Sequence, residues 1–239
     1  MIHLLPEIST LNITLNRNAL CGLNILHLSD LHFNQKTTDR YVQNLLAKCH
    51  SIPYDFIVIT GDIIDTNPNK IIYQLQLLNK LQNVYYISGN HDIFYGLPKL
   101  KKLLNNFTFL DNQIEKLVFK NKEIYLLGLA DRFSKFFHIP REVDTLLELA
   151  KGKENIIFLA HQPKDYQIAL QANASLFLCG HTHGGQIFPF HYLVKLVQPY
   201  LSGLHYKKKM AIYVNSGLGT WGVHHRFKAP SEITLLKLS

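Results

Sequence analysis

The sequence predicts an α/β (α+β) fold, a four-layer αββα sandwich of two mixed sheets flanked by helices. Three observations predict it. Short apolar runs of strand length alternate with longer stretches of helical periodicity, a rhythm that covers sheets with helices. Near the middle the rhythm gives way to a hairpin, and the last third returns to strands, so the sheets are mixed. The unusual polar residues also cluster just past the ends of the apolar runs, where ligands sit in α/β sheets.

In chain order, Leu23–Ser29 is short and apolar and reads as a buried strand. Asp39–His50 reads as an amphipathic helix. Asp55–Thr60 is the second strand, and Asn69–Leu81 a helix opened by Asn67 and Pro68. Asn83–Ser88 is a third strand, followed by a short helix over Leu97–Leu104. Ile114–Ala130 reads as a hairpin with Asn121–Lys122 at its turn. A helix near Glu142–Ala150 leads to the strand Asn155–Ala160, and a helix over Asp165–Asn173 to the strand Ser175–Cys179. Met210–Ser216 and Ser231–Leu238 are the closing strands.

No repeat, low-complexity tract or Gly/Ser linker divides the 239 residues, so a single domain over 1–239 is expected. Hydrophobic content of 47% and charged content of 18% exclude a disordered chain. Three scattered cysteines without a CxxC pair exclude a disulfide framework and a cysteine-based zinc site. No run of apolar residues reaches membrane-spanning length, and the first twenty residues lack the features of a secretory signal. The expected location is therefore the cytoplasm. A formal charge of +8 favours anionic partners: a phosphorylated substrate, nucleic acid or an anionic membrane surface.

Five stretches carry the chemistry: LSDLH (Leu28–His32), TGDIID (Thr60–Asp65), SGNHD (Ser88–Asp92), LAHQP (Leu159–Pro163) and CGHTHGGQ (Cys179–Gln186). Each alone has a plainer reading as a helix cap, a tight turn or a buried histidine. Together they deliver Asp30, His32, Asp62, Asp65, Asn90, His91, Asp92, His161, His181 and His183 to one rim of the sheets. Carboxylate, amide and imidazole without thiolate suit Mn²⁺, Fe, Zn²⁺ or Mg²⁺. Seven candidate metal ligands, Asp30, His32, Asp62, Asn90, His161, His181 and His183, exceed what one tetrahedral ion takes and suit two divalent ions sharing a carboxylate. The glycines around His181 and His183 would let backbone approach closely and take unusual dihedrals.

In order and spacing the five stretches resemble the calcineurin-like metallophosphoesterase superfamily, over roughly Leu23 to Gln186. The resemblance implies one metal on Asp30, His32, Asp62 and His183 and another on Asp62, Asn90, His161 and His181, with Asp62 bridging. It also implies His91 beside the substrate phosphate as proton donor or charge stabiliser, with Asp92 orienting it. The implied reaction is hydrolysis of a phosphodiester or pyrophosphate by a hydroxide held between two ions, of which Mn²⁺ is the first expectation.

Clues to the substrate lie outside the metal set. Arg226, in the tail Asn215–Phe227, is placed to bind a substrate phosphate, together with Asn90 and His91, although the tail reads equally as a surface loop with a structural Trp221. Ile187–Lys209 is apolar and aromatic and ends in three lysines, which reads either as core with a solvated turn or as a peripheral, lipid-facing segment. The C-terminal pattern with HTHGGQ is similar to a bacterial branch that includes UDP-2,3-diacylglucosamine pyrophosphate hydrolases. That branch implies a lipid-linked substrate of lipid A synthesis. Its members often carry a membrane or twin-arginine leader, and the lack of one here suits work at the cytoplasmic face of the inner membrane. A nucleotide or nucleic-acid phosphodiesterase is the alternative, although no basic stripe interleaved with aromatics marks a stable nucleic-acid partner. A non-catalytic scaffold is the alternative of another class, and it would have no need of seven ligands.

Overall fold

Alternation within single strands builds the layers, because successive side chains leave a strand on opposite faces. In β3 (Phe56–Thr60), Phe56 and Val58 enter one apolar cluster, while Ile57 and Ile59 enter a second one with Val42 and Leu45 of α1 (Asp39–His50). In β8 (Ile156–Leu159), Ile157 and Leu159 join the same first cluster, while Ile156 and Phe158 pack with Leu146 of α5 (Val143–Ala150). One apolar layer thus lies between two sheets, and each sheet carries helices on its other face. The computed structural model describes residues 5–15, 18–187, 189, 191–222 and 225–239.

The first sheet has the order β1-β12-β2-β3-β4-β5. Its strands are β1 (Ile8–Ile13), β2 (Asn24–Leu28), β3, β4 (Val84–Ile87), β5 (Thr108–Phe109) and β12 (Ile233–Leu238). All neighbours are parallel except β12 and β2. The second sheet has the order β10-β11-β9-β8-β7-β6. It is made of β6 (Gln113–Phe119), β7 (Lys122–Gly128), β8, β9 (Leu176–Cys179), β10 (Gly203–Lys207) and β11 (Met210–Val214), with antiparallel pairs at its two edges. The first sheet is backed by α1, α2 (Ile72–Leu78) and α4 (Leu97–Leu103), the second by α5 and α6 (Tyr166–Gln171). The four-layer sandwich of two mixed sheets is the fold found.

Several elements depart from the sequence expectation. The hairpin turns at Lys120–Asn121, one residue earlier than expected: Phe119 pairs with Lys122, and both turn residues have positive φ, 48° and 61°. That is the pair of left-handed residues a two-residue hairpin needs, and asparagine accepts it readily. The edge strands β1, β5 and β10 and the helices α3 (Asn90–Tyr95) and α7 (His191–Val197) are additional to it. β10 also divides the segment Ile187–Lys209. It pairs Gly203 with Val214 and Lys207 with Met210, antiparallel to β11, while β11 runs parallel to β9. Because β9 leads into His181 at its carboxyl end, Lys207, Lys208 and Lys209 stand at the opposite end of the sheet, about 13 Å of strand away. Phe188 and Phe190 of the same segment lie outside the described residues.

Candidate metal centre

Two loops meet where β2 and β3 end. Asp30 N–H donates to Gly61 O at 2.9 Å and His32 N–H to Asp62 O at 3.0 Å, so the loops hold each other after the sheet stops. Asp30, His32, Asp62, His181 and His183 all take positive φ, between 48° and 71°. Such backbone costs an L-residue about 1 kcal/mol or more and persists where surrounding contacts enforce it. The strain therefore sits on the ligand candidates themselves and not only on the glycines beside them. Gly180 has a different job: a Cβ there would run into Ser29 Oγ and Asp30 Oδ2, so only glycine lets β9 approach the first loop.

Each carboxylate has one oxygen committed and one open. Asp30 Oδ2 accepts from Ser29 Oγ at 2.6 Å and His181 N–H at 2.9 Å, while Oδ1 is buried without a partner, 3.3 Å from His183 Nε2 and 3.8 Å from His32 Nε2. Asp62 Oδ1 accepts His91 N–H at 2.8 Å, and Oδ2 faces His161 Nε2 at 3.2 Å and His32 Nε2 at 3.8 Å. The nitrogens crowd together too, with His32 Nε2 to His183 Nε2 at 3.0 Å and His181 Nδ1 to His161 Nε2 at 3.2 Å. Ligand atoms of Asp30, His32 and His183 lie within 4.8 Å of one another, as do those of Asp62, His161 and His181 and those of His32, Asp62 and His91.

These residues fit divalent cations. Nitrogens each about 2.1 Å from one ion at a right angle stand about 3.0 Å apart, the spacing of both histidine pairs. Asn90 Oδ1, like Asp30 Oδ1, is buried with no hydrogen-bond partner among the described residues, an acceptor suited to a positive charge. His161 Nδ1 donates to Thr60 O at 2.7 Å, which turns Nε2 to Asp62 and fixes the ring as a ligating histidine needs. Burial, assisted by the charge of His161, pulls His181 down to about 3, and burial pulls His183 down to about 4, so both are neutral near pH 7. Burial opposes charge on His161 and Asp62, yet their mutual attraction prevails, raising the imidazole and lowering the carboxyl. Six of the seven expected ligands are thus brought together, and Asn90 begins α3 one residue before His91, whose N–H meets Asp62.

His91 begins the short helix α3 and faces the same cluster. Its Nδ1 meets Asp65 Oδ1 at 2.8 Å, and its ring lies 5.9 Å from that of Tyr95 and 6.2 Å from that of Trp221. Asp65, not Asp92, is therefore the carboxylate that orients His91. Asp92 is fully buried and accepts the N–H groups of Asp62 (2.7 Å), Ile63 (2.8 Å), Ile64 (3.1 Å) and Gly89 (2.9 Å) and the hydroxyl of Tyr86. Its bond to Gly89 N–H closes the first turn of α3, and its other bonds pin the loop that carries Asp62. Asp92 adjoins His91 in sequence while Asp65 lies 26 residues before it, and only the tertiary contact picks out Asp65.

Arg226 also departs from expectation. Its guanidinium donates to Gly219 O (2.9 Å), Ser216 O (2.9 Å), Gly217 O (3.0 Å) and His183 Nδ1 (3.1 Å), leaving its fork facing backbone instead of a phosphate. Burial pulls it down to about 10, still charged at neutral pH. A guanidinium only donates, so His183 Nδ1 accepts and the ring carries its proton on Nε2. Three contributors, Gln186, His27 and Thr60, were not among the expected site residues. Gln186 clamps Trp221 through both ends of its amide, accepting from Trp221 N–H at 3.1 Å and donating to Trp221 O at 2.9 Å. His27 and Thr60 (2.9 Å apart) continue a buried chain to Ser29 and Asp30.

The family model described as calcineurin-like phosphoesterase matches residues 23–185. The chain is 35% identical to an uncharacterized metallophosphoesterase of Campylobacter jejuni, over 98% of this chain and 63% of that protein. It is 30% identical to a transmembrane protein with metallophosphoesterase domain of Danio rerio, over 92% of this chain and 54% of that one. It spans less than two thirds of the length of either relative. Two solved structures share the fold: a 5′-nucleotidase precursor of Thermus thermophilus, TM-score 0.52 with 13% identity over 89% of this chain and 54% of that one, and the phosphopantetheinyl hydrolase of Mycobacterium tuberculosis, TM-score 0.51 with 10% identity over 81% and 89%. Motif order, sheet topology and the ligand cluster agree with the family match, and the chain belongs to the calcineurin-like phosphoesterase family.

Proposed function

We propose that the chain is a metal-dependent phosphohydrolase that cleaves a phosphodiester or pyrophosphate with two divalent cations, Mn²⁺ foremost. One cation takes Asp30, His32, Asp62 and His183, and the other Asp62, Asn90, His161 and His181. The observation that carries this reading is the placement of Asp62: one oxygen held by the His91 amide, the other facing His161 and His32 from both ligand groups. When bound, such a pair activates water and neutralises phosphoryl oxygens. The chain supplies the rest. His91, held by Asp65, protonates the leaving oxygen or stabilises its charge. Asp92 and Arg226 fix the loops so that the ligands meet without reorganising.

The proposed substrate is lipid-linked, of the class of UDP-2,3-diacylglucosamine, presented at a membrane. Support comes from the apolar segment after His183 and from a relative named as a transmembrane protein. No helix among the described residues is long and apolar enough to cross a membrane, so this chain's own contact would be peripheral. The second reading, a nucleotide phosphodiesterase, is favoured by the exposed Trp221 ring beside His91, a face on which a base could stack. A panel of soluble, nucleotide and acylated phosphoesters, assayed with Mn²⁺, Mg²⁺ and Zn²⁺, tests both. Turnover of acylated substrates above all others is expected. Absence of metal-dependent turnover on every ester sinks the hydrolase reading.

A further inference from the structure

Large apolar side chains are exposed unevenly over this protein. Fourteen are exposed among the described residues, and nine of them stand on three segments fastened to the metal-site loops. Phe94 lies three residues beyond His91 on α3, and the turn Arg132–Phe137 packs beside it, with Phe94 and Phe137 rings 6.3 Å apart and Phe136 77% exposed. α7 follows directly from the HTHGG loop and packs so tightly on it that a Cβ on Gly185 would collide with His191. Tyr192, Leu193, Leu196 and Val197 occupy successive turns of one face of α7, all exposed, Leu196 to 81%. The third segment holds Trp221, clamped by Gln186, and Phe227, whose N–H donates to Gln186 O at 2.9 Å.

A hydrophobic rim around a catalytic mouth needs an occupant, and the charges say which. No Asp or Glu occurs anywhere between Asp165 and Glu232, a stretch that includes β9, both ligand histidines, α7 and the Trp221 loop. In the remaining rim segment Arg132–Phe137 holds no acid, and Asp92, on α3 with Phe94, is fully buried. Exposed Lys135 and Lys195 sit among the rim's apolar residues, and Lys228 borders Phe227. Apolar side chains interspersed with cations and free of carboxylates match the boundary of an anionic bilayer, where acyl chains lie beneath negative headgroups. Branched aliphatic side chains such as Leu193, Leu196 and Val197 have no counterpart on a nucleic-acid backbone, which would call for hydrogen-bond donors.

We infer that the metal-site face docks onto an anionic lipid surface through α7, the Phe94–Phe136–Phe137 cluster and the side chains of Trp221 and Phe227. The inference deepens the hydrolase reading by naming the partner of that site, and it rests on that reading only in calling the face catalytic. It assigns the docking to α7 and not to Lys207, Lys208 and Lys209, which lie at the far end of the second sheet. The surface also gives the site a direction: a headgroup phosphate at the bilayer boundary faces the cations while its acyl chains stay in the membrane.

Co-sedimentation of the full chain with vesicles of phosphatidylcholine, with and without about 30% phosphatidylglycerol, tests this. The wild type is expected to bind the anionic vesicles at about 50 mM NaCl and several-fold more weakly at about 500 mM. The doubly substituted Leu193→Ser, Leu196→Ser chain should lose at least about tenfold in partitioning, with an unchanged thermal midpoint, because both side chains are exposed in the free protein. The triple Lys→Gln variant at 207–209 should bind within about twofold of wild type. Wild type that ignores anionic vesicles, a serine variant that binds as well as wild type, or loss confined to the lysine variant would each overturn the inference. So would preference for DNA over vesicles at equal salt, or a dimer that hides α7. Hydrolysis of bis(p-nitrophenyl) phosphate with Mn²⁺, measured in parallel without vesicles, tests the hydrolase reading separately. Vesicle binding without turnover sinks the hydrolase and leaves the docking surface standing.

Discussion

His91 Nδ1 and Asp65 Oδ1 meet at 2.8 Å, joining the first turn of α3 to the loop after β3. Burial works against charge on His91, but the bond to Asp65 and the nearby charges of Asp62 and Asp65 prevail and raise the imidazole. A general acid works in its protonated form, so a raised His91 remains active to higher pH. Asp65→Asn keeps an acceptor oxygen and removes the charge. The alkaline limb of the rate profile should then move to lower pH, and turnover near neutrality should fall roughly tenfold on an ester with a poor leaving group. Superimposable profiles would return the orienting role to another residue. His91→Ala should cost about 10²–10⁴ on the same ester while metal content is retained.

Asp62→Asn tests the shared carboxylate. Elemental analysis of protein prepared without chelator should approach two ions per chain for wild type and fall to one or fewer for the variant. Uptake of Mn²⁺ should release protons into weakly buffered solution, since Asp62 holds His161 protonated and Nε2 must lose that proton to ligate. The thermal midpoint should rise with Mn²⁺, because a ligand that binds only the native state adds about 2.7 kcal/mol at a hundred times its Kd. Two tightly held ions in the Asp62→Asn variant would refute the bridging role.

Asp92→Ala should destabilise the protein by about 3–5 kcal/mol even in chelator, because four buried N–H groups and the Tyr86 hydroxyl lose their acceptor. Metal affinity should drop with it, since the loop carrying Asp62 is released. Chemical denaturation with and without EDTA measures the two effects separately. A variant as stable as wild type but inactive would restore Asp92 to a direct role beside His91.

Arg226→Met should cost about 2–4 kcal/mol and lower metal affinity, because the carbonyls of Ser216, Gly217 and Gly219 lose their donors. Arg226→Lys should recover little, since an ammonium cannot span the same fork of acceptors. An unchanged thermal midpoint with a raised KM for phosphoesters would favour the phosphate clamp over the staple.

The buried strands and the ligand set were legible because each depends on few neighbours. An apolar run such as Phe56–Thr60 announces a central strand, and His-x-His beside glycine announces an unusual loop. Elements whose identity comes from distant partners were not. β1 is a half-polar edge strand that pairs with β12, more than two hundred residues later. α3 contains Asn, His and Asp, poor helix formers, and is started by Asp92 acting on Gly89 N–H. Arg226 looked like an anion binder because sequence shows a charge and not the carbonyls around it. The left-handed backbone at Asp30, His32 and Asp62 left no mark, since none of the three is glycine.

β12 lies between β1 and β2 in the first sheet, so its strand neighbours are made long before it is. On a ribosome, those two strands emerge early and must wait for Ile233–Leu238 with ladder groups unpaired. Until then the sheet has a gap rather than an edge, a template open to other nascent chains. Closing that gap also seats Gly217 against Asp30, because Glu232, the residue just before β12, donates its own N–H to Gly217 O at 3.1 Å. Assembly of the metal centre is thereby postponed until translation has passed the last strand, and a truncation within β12 should yield protein that neither folds nor retains metal.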